Sequence, residues 1–230
     1  MYIDLTGLNE HETIYICWSG GCDSTALLYY IANNYKQHNI VAITLRDTYN
    51  NSEVADSIAR EKLKKHFDKL AEQDVLSPIV FRTIEFNGGA INTNGLVQPA
   101  QWALLTNMFL DTNSSILFSY IREDDFWHCK QQFCGILDNL FSMRCVDIGS
   151  NRCKYYFPLE WTNKEEIIKY LKEKNLFQYC NYCEQPIGKN RNTPCKTCHS
   201  CKSVQHVLRD IEESEGNTHV IYNEAIRKNF

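Results

Sequence analysis

At 230 residues, 43% apolar and 12% aromatic, the chain is large and apolar enough for one big α/β domain, or one domain with a small appendage. A net charge of −4 argues against a general nucleic-acid binder, no apolar run is long enough to span a membrane, and the N-terminus lacks the basic and apolar regions of a signal peptide, so a soluble cytoplasmic protein is expected. Eleven cysteines, five of them from Cys180 to Cys201, point in a reducing compartment to metal binding or catalysis more than to disulfides.

Residues 1–12 are polar and read as an irregular lead-in or a short edge segment. A strand is expected over 13–18 and a helix over 24–35, joined by Ser19-Gly20-Gly21-Cys22-Asp23-Ser24. Paired glycines let the backbone take positive φ and approach a ligand with no Cβ in the way. Asp23 or Ser24 is placed to cap the helix, whose N-terminus offers N–H donors and positive dipole to an anion, with the Ser19 and Ser24 hydroxyls on either side. The stretch therefore suits phosphate. No Lys follows the glycines, as a G-x-x-x-x-G-K-[ST] loop requires, and the G-x-G-x-x-G of dinucleotide folds is absent. An ordinary Gly-Gly turn is the plain alternative.

Residues 40–45 form a second strand and complete a β-α-β unit, the start of a parallel sheet. Ligands bind beyond the carboxyl ends of such strands. This makes Thr44 a nucleotide-binding candidate and puts Arg46, Asp47 and Thr48 beside the phosphate loop, as nucleotide contacts or as solvated loop residues. A long amphipathic helix is expected over 52–70, with Val54, Ile58, Leu63 and Phe67 as its buried stripe, then a third strand over 79–86. Residues 87–95 are Gly/Asn-rich and loop-like, either functional or a surface excursion. Pro99 opens a helix to about Leu110, and 115–120 is a buried strand ending at Ile121-Arg122-Glu123-Asp124-Asp125. At least one of Asp124 and Asp125 is expected to bind Mg²⁺ or orient substrate. Residues 126–140 read as helix and 154–157 as a short strand. Thr162-Asn163-Lys164-Glu165 reads as a capping box that opens a helix to about Lys174. No repeat or low-complexity segment occurs.

Cys183-x11-Cys195-x2-Cys198-x2-Cys201 offers four thiolates, the number that closes a tetrahedral structural Zn²⁺ site; an iron–sulfur cluster is the rival. The two short steps let successive sulfurs turn toward one ion. The long step, with Pro186, Gly188 and Pro194, can swing the first ligand back. Cys183 is preferred to Cys180 as that ligand, because Cys180 lies closer to the end of the preceding helix. Lys189, Arg191, Lys196, Lys202 and Arg209 face only Glu184 here, and either meet phosphates or balance the dianionic centre. Cys17, Cys22, Cys129, Cys134, Cys145 and Cys153 show no metal spacing and read as core filling or plain thiols. The chain divides on this reading into a nucleotide-binding domain over 1–176 and a cysteine cluster with C-terminal helices over 177–230.

The hexapeptide resembles the SGGxDS pyrophosphate loop of the PP-loop ATP pyrophosphatases, which cut ATP between the α and β phosphates. The resemblance implies a parallel-sheet, Rossmann-like (adenine nucleotide alpha hydrolase-like) α/β core, here with a small C-terminal zinc-binding subdomain. It also implies that Ser19, Gly20, Gly21, Cys22, Asp23 and Ser24 hold the nucleotide. The loop and the cysteine cluster together are similar to the 7-cyano-7-deazaguanine synthase (QueC) family over most of the chain. Phe157-Pro158-Leu159 with Lys164 and Glu166-Ile167-Ile168 is similar to that family's "PL…K.EI" segment, and Asp124 sits near its acidic residue after a strand.

What the resemblance implies is an enzyme that uses ATP and Mg²⁺ to adenylate the carboxylate of 7-carboxy-7-deazaguanine. Ammonia then displaces AMP to give an amide, and a second ATP dehydrates the amide to the nitrile. Asp23, Ser24, Asp124 and Lys164 are the residues expected to serve that chemistry. The substrate-side motifs depart from the family. Asp47-Thr48-Tyr49-Asn50-Asn51 replaces its Tyr-Gly-Gln, Gln101-Trp102 its Arg-Asn, and His128-Cys129-Lys130 its Asp-Cys-Arg. A divergent relative is expected, still adenylating a deazapurine carboxylate or related acid, with ammonia or another amine as acceptor. A protein or nucleic-acid acceptor and a homodimer stay open, as does the setting: queuosine biosynthesis, nucleic-acid modification or antiviral defence. The other readings are a PP-loop tRNA-modifying, thiolase-like enzyme and a zinc-stabilised nucleotide-binding module without turnover.

Overall fold

A computed structural model describes residues 3, 5–8, 12–50, 52–87, 98–108, 110, 114–144, 153–188 and 191–227, with backbone only at 144 and 215–227. The 88–95 part of the expected loop, Cys145 and Lys189 lie outside the described residues. Five parallel strands, β1 (Thr13–Cys17), β2 (Ile40–Asp47), β3 (Ile79–Phe86), β4 (Ser114–Leu117) and β5 (Lys154–Tyr156), lie in the order β3-β2-β1-β4-β5. The central strands are buried on both faces, which is why they read as unbroken apolar runs. Their side chains alternate. Ile14, Ile16, Ile40 and Ala42 join one core cluster, while Tyr15, Cys17, Val41 and Ile43 join the other.

On the first face pack α1 (Cys22–Asn34), α2 (Glu53–Glu72) and α5 (Lys164–Glu173), through Leu27, Leu28, Leu63, Phe67, Ile167 and Leu171. The second face carries α3 (Gln98–Asn107) and α4 (Lys130–Arg144), through Trp102, Phe133, Leu137 and Phe141. Finally α6 (His199–Arg227) leaves the cysteine cluster and packs on α5 through Ile168, Val204 and Ile211. The segment before it lies along the first face, with Phe177, Tyr179, Cys180 and Tyr182 against that core. Among the described residues no helix is long and apolar enough to cross a membrane.

Several expected elements shift. The buried stripe of α2 is Ala55, Ala59, Leu63 and Phe67, at strict four-residue spacing, whereas Val54 is 47% exposed. One residue step turns a side chain by about 100°, so Val54 and Ala55 cannot share that face, and the small residue won it. β4 ends earlier than expected. Phe118 N still donates to Tyr156 O at 3.0 Å, but Tyr120 turns out to stack on Phe126 at 3.7 Å. The expected helix over 126–140 is a 3₁₀ turn, Asp125–His128, followed by α4. The capping box falls one residue later. Asn163 Oδ1 accepts from Glu166 N at 2.9 Å, and Glu166 Oε2 accepts from Asn163 N at 3.0 Å.

Candidate active site and metal centre

Strand order reverses between β1 and β4, and the crevice beyond their carboxyl ends is where such sheets take ligands. A cleft of about 830 Å³ opens there. Ser19, Gly21, Asp23 and Ser24 form one wall, and Phe118, Tyr120 and Asp124 form the opposite one.

The phosphate loop begins where β1 ends. Gly20 takes φ +86° and Gly21 the ordinary φ of −76°, so only the first glycine uses the left-handed region. Helix α1 starts at Cys22, two residues earlier than expected, with Gly21 at its N-cap and no side-chain cap. Neither Asp23 nor Ser24 caps it: both already lie in its first turn. Instead Ser24 Oγ accepts from Ser19 N at 3.2 Å and meets Ser19 Oγ at 3.1 Å, and Ser19 Oγ accepts from Gly21 N at 3.2 Å. The two hydroxyls thus close the loop into a ring at a helix N-terminus, the arrangement that receives anions. Thr44 is buried on β2, its hydroxyl donating to Trp18 O at 2.8 Å, so it braces the strand entering the loop. Arg46, Asp47 and Thr48 do not line the cleft. Arg46 Nε meets Glu53 Oε1 at 3.0 Å and its Nη1 meets Glu85 Oε1 at 2.5 Å.

Lys164, the first residue of α5, reaches across to Asp23 and donates to both carboxylate oxygens at 2.7 Å. Burial opposes its charge, but Asp23, Cys22 and Asp124 outweigh it, and the Lys164 pKa stands above its usual value. Asp124 Oδ2 accepts from Ile121 N at 2.8 Å at the turn after β4. Burial, reinforced by the charge of Asp23, lifts the Asp124 carboxyl to about 6, with the Ile121 N–H and Lys164 pulling the other way. Asp23, Asp124 and Lys164, from three separate segments, therefore share one electrostatic neighbourhood. These two carboxylates are the residues that could hold Mg²⁺ beside a bound triphosphate.

The remaining walls are ones that sequence patterns foretell poorly. Trp102, Phe118, Tyr120 and Phe126 make an aromatic side; Glu123, Asp125, Glu184 and His199 stand around it. Trp102 and Cys129, from two of the three altered motifs, reach the cleft, but Lys130 turns away to pair with Glu160 at 2.9 Å over the Trp127 ring. Burial raises the Cys17 thiol well above its ordinary pKa, so it is a poor thiolate despite its place on the wall. Glu184, Ser200 and His199 belong to the cysteine-cluster segment, and Ser200 Oγ donates to Glu184. The cleft is thus completed by the C-terminal part of the chain, which no local sequence signal announces.

Cys183, Cys195, Cys198 and Cys201 bring their sulfurs within 4.8 Å of one another. Around one tetrahedral Zn²⁺, Zn–S bonds of about 2.3 Å put sulfurs about 3.8 Å apart, and Cys195 Sγ and Cys201 Sγ are 3.9 Å apart. The donor set fits a metal ion. Backbone N–H groups point at the sulfurs: Cys195 N to Cys183 Sγ at 3.2 Å, Cys198 N to Cys195 Sγ at 3.3 Å and Cys201 N to Cys198 Sγ at 3.4 Å. Lys196 accepts φ +64° to make the first turn. Hydrogen bonds from Thr197 and Cys198 hold the Cys195 thiol down near 6, whereas burial and neighbouring thiols push Cys201 up to about 12. Cys180 is not in the group. Its Sγ points to Leu176 O at 3.6 Å, so Cys183, and not Cys180, is the first cysteine of the cluster. Lys196 and Lys202, each next to a cysteine of the cluster, are exposed, whereas Arg209 pairs with Glu213 along α6 at 3.9 Å.

No family model matches the chain. It is 24% identical to a 7-cyano-7-deazaguanine synthase of Staphylococcus aureus over 231 positions, which cover 91% of this chain and 97% of that protein. Among solved structures, the U34-tRNA thiolase NcsA of Methanococcus maripaludis, with its [4Fe-4S] cluster, has a TM-score of 0.52 at 15% identity. The match covers 94% of this chain and 70% of that one. The second likeness concerns the fold, and bears out the parallel α/β core. The first bears out the resemblance to 7-cyano-7-deazaguanine synthases, extended over nearly the whole of both chains.

Proposed function

We propose that the chain uses ATP to adenylate 7-carboxy-7-deazaguanine or a related deazapurine acid, and that ammonia or another amine then displaces AMP. The observation that carries this reading is the shared cleft, in which the Ser19–Ser24 ring faces Asp124 and an aromatic wall. A carboxylate is a poor electrophile. Its oxygen attacks the α phosphorus, the bond to the β-phosphate oxygen breaks, and pyrophosphate departs. The 19–24 ring and the N–H groups of α1 receive that leaving charge. Lys164 supplies positive charge beside it and holds Asp23 in one orientation through its two 2.7 Å bonds. Mg²⁺, held by Asp23 and Asp124, would add charge neutralisation on the phosphates. The aromatic wall suits a flat heterocycle, and the amine then attacks the acyl carbon, releasing AMP.

The cysteine centre is assigned to structural Zn²⁺. Four thiolates would leave no open position on the ion, and the 3.9 Å between the Cys195 and Cys201 sulfurs suits a single ion. A four-iron cluster, which carries sulfide inside its cage, needs thiolates spaced further apart. The acidic rim of Glu123, Asp125 and Glu184 also weighs against a polyanionic tRNA substrate. Incubating the protein with ATP, Mg²⁺ and 7-carboxy-7-deazaguanine, with and without ammonia, tests the proposal by mass spectrometry. Amide, nitrile or an amine conjugate supports it; unchanged acid with ATP consumed on some other substrate refutes the deazapurine assignment.

A further inference from the structure

The phosphate loop is held from behind. Two consecutive carbonyls are taken by donors outside the cleft: Arg60 Nη1 donates to Ser19 O at 3.0 Å, and Asn181 N donates to Gly20 O at 3.2 Å. No peptide bond is cis, and in a trans peptide the N–H points opposite its carbonyl. Fixing these carbonyls therefore turns the Gly20 and Gly21 N–H groups to the other side, where the Gly21 N–H meets the Ser19 hydroxyl on the cleft wall.

Asn181 is itself fixed by three side-chain bonds. Its Nδ2 donates to Asp56 Oδ1 at 2.6 Å and to Cys183 O at 3.3 Å, and its Oδ1 accepts from Cys183 N at 3.2 Å. Both backbone polar groups of Cys183 are thus gripped by one amide. Cys183 is the first of the four clustered sulfurs. One residue holds a metal ligand with its side chain and the phosphate loop with its backbone.

We propose that Asn181 is a positioning residue that ties occupancy of the cysteine centre to the shape of the phosphate loop. The inference rests on reading that loop as a pyrophosphate site. A bound ion pins the Cys183 sulfur, hence its backbone, hence the plane of the Asn181 amide against Asp56, and so the N–H on Gly20 O. Without the ion, the Cys183 sulfur keeps only weak hydrogen bonds such as that from Cys195 N, and the Asn181 amide holds a backbone that is no longer anchored through its side chain. The second support, Arg60, comes from α2 and is independent of the metal. Metal loss therefore loosens the loop by degrees rather than collapsing it.

The test uses the full chain and two readouts. Amide hydrogen exchange over residues 14–27 reads the loop without ligand, and calorimetric titration with inorganic pyrophosphate reads its function. In the wild type, chelation is expected to speed loop exchange about tenfold and weaken pyrophosphate binding by a similar factor. Asn181→Ala is expected to keep one metal per chain, exchange fast with the metal in place, and show no further response to chelation. A merely structural role would lower Tm yet leave the metal response intact. Should chelation unfold the wild type, metal-loaded Asn181→Ala decides alone: fast loop exchange supports the link and slow exchange overturns it. The link is also overturned if wild-type loop exchange ignores chelation, or if Asn181→Ala responds as the wild type does. If exchange behaves as expected but neither pyrophosphate nor ATP binds, the link stands and the ATP reading falls.

Discussion

Gly20→Ala isolates the loop's backbone from its side chains. Gly20 sits at φ +86°, and a Cβ built there would lie 2.7 Å from Arg60 Cγ. Placing a residue with a Cβ in the left-handed region costs about 1–2 kcal/mol. Arg60 must also shift near the base of its side chain, where there is little slack. That strains its 3.0 Å bond to Ser19 O and its 2.6 Å bond to Glu53. The Arg60 and Glu53 side chains are 12% and 11% exposed, so solvent does not screen the loss. Weakening one such charged bond costs about 1.5–3 kcal/mol. The sum, about 2.5–5 kcal/mol against the native loop, predicts at least about seventyfold weaker pyrophosphate or ATP binding. Metal content should be unchanged. Gly135→Ala is the matched control: it lies in α4 with nothing within 4 Å of a built Cβ. Relief of a helical glycine is worth up to about 1 kcal/mol, raising Tm by about 2–4 °C with binding untouched. Titration calorimetry and thermal melts on both variants suffice. Wild-type affinity in Gly20→Ala, or equal losses in the two variants, would refute the reasoning.

The pH response follows from Asp124, whose folded pKa of about 6 lies above its ordinary 3.8. A raised pKa means the folded state binds the proton better. The group favours folding fully below the unfolded value and loses that contribution as pH rises through about 6. Asp124→Asn should therefore stabilise the protein above about pH 7 but not below about pH 4, and should lower turnover, with no acid limb near pH 6 in what is left; equal Tm gains at both ends contradict this. Cys198→Ser should reduce metal content to background and lower Tm by about 10 °C, checked by metal analysis and melts; a metal-loaded variant removes Cys198 from the site. Lys164→Gln strips the 2.7 Å partner from Asp23 and should cut turnover about a hundredfold with metal retained, whereas activity within about threefold would dismiss Lys164 from the chemistry.

Much of the fold was legible because its signals are local. Apolar runs at 13–18 and 40–45 mark strands buried on both faces, 79–86 marks the edge strand of the sheet, of which only Ile84 is buried, and the spacing of Cys183, Cys195, Cys198 and Cys201 carries its own geometry. The strand–loop–helix turn at Ser19–Ser24 was legible in composition but not in capping, because its two serine hydroxyls bond each other rather than capping the helix. What escaped depends on distance along the chain. Nothing near Asn181 announces that it meets Asp56, 125 residues away, and the backbone of Gly20. Val54 and Ala55 compete for one face, and Ala55 takes the buried side, near the 177–182 segment, although Val54 is the more hydrophobic. The aromatic wall likewise assembles from α3, the end of β4 and a 3₁₀ turn that reads as helix.

The most direct measurement follows the fate of ATP labelled at the α and γ phosphates when it is turned over with Mg²⁺, 7-carboxy-7-deazaguanine and ammonia. A pyrophosphate loop formed by Ser19 through Ser24 predicts AMP and pyrophosphate in equal amounts, lost together in Asp23→Ala while the metal stays bound. ADP with phosphate from active protein, or nucleotide bound and never cleaved, would contradict it.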